Sequence, residues 1–111
     1  MGNASQSLPW NNTLIMTENT APNSLPKIRI PGTDVSVSTL AIGGFHQVEM
    51  SAEVVRSTVD EFLAAGGNYI ETARGYGRGA SEVKIGRAIH GRRDDVVLAS
   101  KSGARDAEGI R

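Results

Sequence analysis

From residue 38 onward the chain alternates short apolar runs with stretches of helical period, and this restricts the fold more than any other feature. "STLAIGGF" is a short apolar run stopped at Gly43-Gly44, as a buried strand would be. "SAEVVRSTVDEFLAAGG" places Val55, Val59, Phe62 and Leu63 at i, i+4, i+7 and i+8, one face of a helix. Ser51 is the expected N-cap, Glu53 complements the positive N-terminus, and Gly66-Gly67 end the helix. "NYIET" follows as a second strand. "SEVKIGRAIHG" predicts a second helix, with Ser81 as N-cap, Ile85, Ala88 and Ile89 inward, and Gly91 at the C′ position. "DDVVLAS" is apolar through Val96, Val97 and Leu98, which suits a strand covered on both faces. "ARDAEGIR" reads as the start of a third helix. Strands alternating with helices of this length imply parallel βαβ units with right-handed crossovers. The expectation is three parallel strands near 38–43, 68–71 and 95–100, adjacent in chain order.

Two segments precede this pattern. "KIRIPGTDVSVS" has period-two runs on either side of a Pro-Gly turn, the signal of a β-hairpin. Residues 1–26 are rich in Asn, Ser, Thr and Pro, with too little apolar content to offset the entropy of ordering. They read as a disordered polar tail, with the folded domain at 27–111. The tail has no basic n-region, and its longest apolar run, "LIM", is too short for a signal-peptide core. Gln6 stands where a myristoylation signal wants Ser or Thr. Two matches to the N-glycosylation pattern, at Asn3 and Asn11, are read as chance matches in an Asn/Ser/Thr-rich segment.

Composition narrows the function classes. Twelve basic and twelve acidic side chains cancel, so there is no electrostatic footprint for nucleic acid or an anionic membrane surface. No run approaches the roughly 20 apolar residues of a membrane span. With no cysteine, disulfides and thiolate metal sites are excluded and a reducing, cytoplasmic location is expected. The two histidines, His46 and His90, lack metal-ligand spacing. His90 reads as a surface residue near a helix C-terminus.

Parallel α/β architectures put chemistry at the C-terminal ends of their strands. Glu71 ends the second strand, Tyr76 lies in the glycine-rich loop after it, and Lys101 ends the third. A phenol is a poor acid at neutral pH. A neighbouring ammonium favours the phenolate, and a carboxylate keeps that ammonium charged and oriented. Such a phenol can give a proton to a carbonyl oxygen while hydride reaches the carbon. The other reading of Glu71 is a surface pair with Arg74. "GYGRGASE" lacks a G-x-G-x-x-G spacing, so its glycines are read as turn residues exposing Tyr76 rather than a phosphate cradle.

"AAGGNYIETARGYGRGASEVKIGRAI" and "DDVVLASKSGARD" resemble the N-terminal signature of the aldo-keto reductases, and "KIRIPGTDVSVSTLAIGG" resembles their opening hairpin and first strand. The resemblance spans 27–111. It implies the N-terminal part of a (β/α)8 barrel, with the hairpin covering the end opposite Tyr76. It implies reduction of aldehydes or ketones, small-molecule carbonyl substrates, with NADPH or less often NADH as cofactor. By resemblance Tyr76 is the proton donor and Lys101 its modulating lysine. Glu71 stands where the family usually has Asp. Gly44 and Phe45 would approach the cofactor, and Phe45 and His46 would line the substrate pocket. The family's catalytic histidine ends a fourth strand, which falls after Arg111. The chain alone is therefore expected to be an inactive N-terminal portion of such an enzyme. The alternative from another class is a non-catalytic interaction module. The open edge of the third strand would then pair with another chain, a second copy included.

Overall fold

A computed structural model describes residues 23–111. The expected disordered tail lies outside the described residues except for 23–26. Within those four, Leu25 N–H bonds the carbonyl of Ala65 at 2.8 Å, the carbonyl of Pro26 accepts from Thr39 N–H at 2.9 Å, and the Leu25 side chain packs against the core.

β1 (Lys27–Arg29) and β2 (Ser36–Ser38) form the hairpin, antiparallel with Ile28 opposite Val37. Thr33 closes its turn: the hydroxyl donates to the carbonyl of Ile30 at 2.8 Å and accepts from Val35 N–H at 3.1 Å. β3 (Ala41–Gly43), β4 (Tyr69–Glu71) and β5 (Val97–Ala99) form a second sheet in that order. Both pairings are parallel, with Ile42, Ile70 and Leu98 side by side. α1 (Ala52–Ala64) crosses from β3 to β4, α2 (Ala80–Ala88) from β4 to β5, and α3 (Ala107–Ile110) follows. The described residues are thus a hairpin, three parallel strands and their helices, the arrangement expected for the opening of a (β/α)8 barrel.

Asn68, just before β4, joins the two sheets. Its side chain accepts from Ser38 N–H at 2.7 Å and donates to the carbonyl of Ser36 at 2.8 Å, while its backbone N–H reaches the Ser38 hydroxyl at 3.1 Å. The hairpin therefore sits at the N-terminal end of the parallel strands, away from Glu71.

The core lies between the sheet and its two long helices. Ile42 and Ile70 meet Val55, Val59 and Phe62 of α1, Ile85 and Ala88 of α2, and Ile89 and Val96 of the connection to β5. Alternation along a strand sends the intervening residues to the other face. There Ala41 and Gly43 are exposed, and Tyr69, Val97 and Ala99 are half-buried. Among the described residues that face carries no covering helix, and β5 pairs only with β4. No helix among them is long and apolar enough to cross a membrane.

Ser51 caps α1 as expected, accepting from Val54 N–H at 3.2 Å. Ser81 does not cap α2. Gly79 occupies the N-cap position in a left-handed conformation, φ +95°, which glycine adopts without the Cβ penalty. The helix starts directly out of the 3₁₀ turn Tyr76–Gly79, so Ser81 falls inside its first turn and is fully buried. The other end is also displaced. Ile89 is the C-cap, and Gly91, two residues further, takes the left-handed turn, φ +82°.

Candidate active site

The parallel register assembles the site. Glu71 stands opposite Ala99, so Lys101, two residues beyond Ala99, returns to the face that Glu71 occupies. The ladder continues past the strands: Thr72 N–H bonds the carbonyl of Ala99 at 2.8 Å and Arg74 N–H that of Lys101 at 2.9 Å. The chain then turns, with Tyr76 N–H on the carbonyl of Ala73 at 3.1 Å, and brings the phenol back over Glu71.

One carboxylate gathers the polar groups. Oε2 of Glu71 forms the ion pair with Lys101 Nζ and accepts from the Tyr76 hydroxyl at 3.4 Å. Oε1 accepts from Gly44 N–H, at the end of β3, at 3.1 Å. Lys101 Nζ also donates to the carbonyl of Thr72 at 3.1 Å and lies 5.0 Å from the centre of the Tyr76 ring. The hydrogen bond from Lys101 holds the Glu71 carboxyl below its ordinary value against the opposing effect of desolvation, with help from Gly44, the lysine charge and Tyr76. The reciprocal bond to Glu71 raises the Lys101 ammonium, again against desolvation, with further contributions from Tyr76 and the carboxylate charge. The Lys101 side chain is 55% exposed and that of Glu71 28%. Solvent screens a pair this open, so its effect is on orientation more than on stability.

Glu71 thus takes Lys101 as its ion-pair partner rather than Arg74, whose guanidinium donates to the carbonyl of Gly109 at 3.2 Å. Phe45 opens the 3₁₀ turn Phe45–Val48. Its ring meets the Tyr76 ring edge-on, centroids 5.4 Å apart, and the His46 ring at 5.6 Å. Phe45 is 61% exposed, so an apolar face beside the phenol is open to a ligand. A cleft of about 580 Å³ borders Lys101, lined also by Arg74, Glu82 and Ser100; neither Tyr76 nor Phe45 belongs to its wall. His90 is exposed, past the end of α2. Among the described residues no cluster of three or more His, Asp or Glu could hold a metal ion.

A buried brace under the site is the part that sequence reasoning missed. The Ser81 hydroxyl donates to the carbonyl of Gly44 at 2.8 Å and shares a 2.7 Å hydrogen bond with the Thr72 hydroxyl. A Cβ on Gly44 would lie 2.5 Å from the carbonyl oxygen of Glu71 and 2.8 Å from Ser81 Oγ. Glycine is what lets the end of β3 approach β4 and α2 this closely. The one legible signal was a serine near a helix start, and it pointed to a cap.

The family follows from comparison once this geometry is described. Parallel strands that raise an acid, a phenol and a lysine at their C-terminal ends define an α/β segment with its site where such folds carry chemistry. Residues 39–110 match the aldo/keto reductase family, and the chain belongs to it. Norsolorinic acid reductase B of Aspergillus parasiticus is 39% identical, over 67% of this chain and 22% of that protein. An uncharacterized oxidoreductase of Bacillus subtilis, YqkF, is 34% identical, over 75% and 27%. Among solved structures, the holo form of aldo-keto reductase AKR11C1 from Bacillus halodurans aligns with a TM-score of 0.66 at 35% identity, covering 77% of this chain and 28% of that one. A Klebsiella pneumoniae aldo-keto reductase in complex with NADPH aligns at 0.57 and 30% identity, covering 61% and 25%. The chain spans about a quarter of the length of these relatives.

Proposed function

We propose that this chain supplies the proton-donating part of a carbonyl reductase site, in which an aldehyde or ketone is reduced to an alcohol. The observation that carries the reading is the convergence of Tyr76 and Lys101 on the Glu71 carboxylate at the C-terminal ends of β4 and β5. In this reading the substrate's carbonyl oxygen lies against the Tyr76 hydroxyl, which gives it a proton. Lys101 favours the resulting phenolate, and Glu71 keeps Lys101 aligned. A nicotinamide cofactor, NADPH or NADH, supplies hydride when bound. The exposed Phe45 ring suits a planar partner of that kind, and His46 beside it would border the substrate. Gly44 has its N–H committed to Glu71, so its contribution is the close approach of β3 rather than a donor to the cofactor.

The 111 residues by themselves are expected not to turn over, because they span so small a share of their relatives. The test is to graft residues 27–111 in place of the corresponding segment of the Bacillus halodurans reductase and follow NADPH oxidation with 4-nitrobenzaldehyde. A positioned acid contributes roughly 10²–10⁴-fold. Tyr76→Phe in the active graft should lose a factor of that order, and Lys101→Met most of it. A folded, active graft that tolerates Tyr76→Phe would overturn the reading, as would NADPH oxidation by the isolated chain that Tyr76→Phe abolishes for the inactivity.

A second reading rests on the sheet. Among the described residues β5 pairs only with β4, and an interaction module would be one that pairs this edge with another chain. Sequence continuing past Arg111 into a helix and a strand ending in His favours the enzyme; a stop codon after Arg111 with accumulation of the protein favours the module.

A further inference from the structure

Lys84 stands apart from the acid, phenol and lysine described above, yet its ammonium is fully engaged. Half-buried on α2, Nζ donates to the carbonyls of Gln47 at 3.4 Å, Val48 at 2.8 Å and Met50 at 2.6 Å. A lysine has three donors, and here three backbone carbonyls take them. These carbonyls lie at the C-terminal end of the 3₁₀ turn Phe45–Val48 and in the link to the cap of α1. The Gln47 carbonyl also accepts from Met50 N–H at 3.3 Å, but carbonyls at the end of such a turn are short of backbone partners, and a cation is favoured there. No carboxylate among the described residues pairs with Lys84.

The clamped turn meets the loop bearing the phenol at two points. Phe45, its first residue, packs edge-on against Tyr76. Val48, its last, fills the space beside Gly77, where a Cβ would lie 2.6 Å from Val48 Cγ1. The turn and the loop bearing Tyr76 interlock; Ser81 bonds the N-cap of the turn, Gly44, to α2, and Lys84 bonds its C-terminal end to the same helix. We propose that Lys84 is a positioning residue: by bonding three carbonyls it holds Phe45 against Tyr76 and so sets the apolar wall of the carbonyl site. The inference rests on the reductase reading only in treating Tyr76 as the working group.

The test needs no turnover and uses the 111-residue chain. Two readouts apply: backbone amide exchange over residues 45–50 by mass spectrometry, and nitration of Tyr76 relative to Tyr69, the other tyrosine, by tetranitromethane. Lys84→Met keeps the apolar stem and removes the donors. It should speed exchange in that segment about tenfold, the scale of one or two lost hydrogen bonds, and raise the Tyr76 to Tyr69 nitration ratio. Lys84→Arg should restore both readouts. Lys84→Gln, with two donors, should fall between methionine and wild type, and it tests the order even if the methionine variant does not fold. Arg92→Met controls for general loosening of α2, since Arg92 binds Asp60 and the carbonyl of Ala88 far along the chain from the turn; it should leave the ratio unchanged. An unchanged ratio in Lys84→Gln and Lys84→Met, or an equal rise in Arg92→Met, overturns the proposal. Loss of the reductase reading would show separately, as an active graft indifferent to Tyr76→Phe.

Discussion

Replacing Ser81 by alanine tests whether the buried brace holds the strand ends together. Ser81 is fully buried and Thr72 is 2% exposed, so water cannot replace what is lost. Ser81 donates to the carbonyl of Gly44, which leaves its lone pairs to accept from the Thr72 hydroxyl. Ser81→Ala therefore strands the Thr72 hydroxyl and removes one of the two bonds to the Gly44 carbonyl, which keeps that from Gln47 N–H at 3.1 Å. Leaving the buried Thr72 hydroxyl without a partner costs about 1–3 kcal/mol and the bond lost at Gly44 about 1 kcal/mol more, so a loss of about 2–4 kcal/mol is expected. Thr72→Val keeps the shape and leaves the Ser81–Gly44 bond intact, so it should cost only about 1 kcal/mol. In the double variant no hydroxyl remains to be stranded at position 72, and the two effects should sum to less than their separate values, with a coupling of about 1 kcal/mol. Urea unfolding followed by circular dichroism measures all three. For a slope of about 1–2 kcal/mol/M, Ser81→Ala should move the midpoint down by on the order of 1–4 M, a large part of the stability of a small domain. Equal protein concentrations keep any association contribution common to the set. The reasoning fails if Ser81→Ala costs no more than Thr72→Val, or if the two effects simply add.

Other expectations follow from the same contacts. Ile70→Ala, at the centre of the sheet and fully buried, should cost about 2–5 kcal/mol by the same unfolding assay; a loss under 1 kcal/mol would mean that the site is not packed as described. The Glu71–Lys101 pair, screened by solvent, should give only a shallow plateau in stability against pH. Glu71 has a depressed folded-state pKa, so its contribution is present above its unfolded value and is lost as pH falls through the folded one. Lys101 has a raised pKa, so its contribution is complete below the unfolded lysine value and is lost as pH rises through the folded one. Glu71→Gln should flatten both limbs, and a variant that keeps the wild-type slope in acid would exclude Glu71 as the cause. Glu71→Asp withdraws the carboxylate by about one bond, ~1.5 Å. It cannot then reach Gly44 N–H, Lys101 and Tyr76 together, and faster exchange at the Gly44 amide should report the loss. At micromolar concentration the chain should sediment as more than a monomer through the β5 edge and the uncovered face, and Val97→Lys should shift it toward monomer; a wild-type chain that sediments as a monomer would refute this.

The sequence by itself determined the element order and the faces of the helices. Val55, Val59 and Phe62, and Ile85, Ala88 and Ile89, are inward because their spacing matches the helical period, which is local information. It also placed Glu71 and Lys101 at strand ends, since each follows an apolar run that stops. Whether the two side chains meet depended on the register of β4 against β5, which no local pattern encodes. Tertiary structure decided that Glu71 stands opposite Ala99 and therefore shares a face with Lys101. It also turned Ser81 from an expected cap into a buried brace. Left-handed Gly79 started α2 earlier, and the nearest partners for the hydroxyl were on β3 and β4, distant in sequence. The clamp of Lys84 on the Phe45–Val48 turn had no sequence signature for the same reason. Backbone carbonyls look alike at every residue, and only the packing of α2 beside that turn brought three of them within reach of one ammonium.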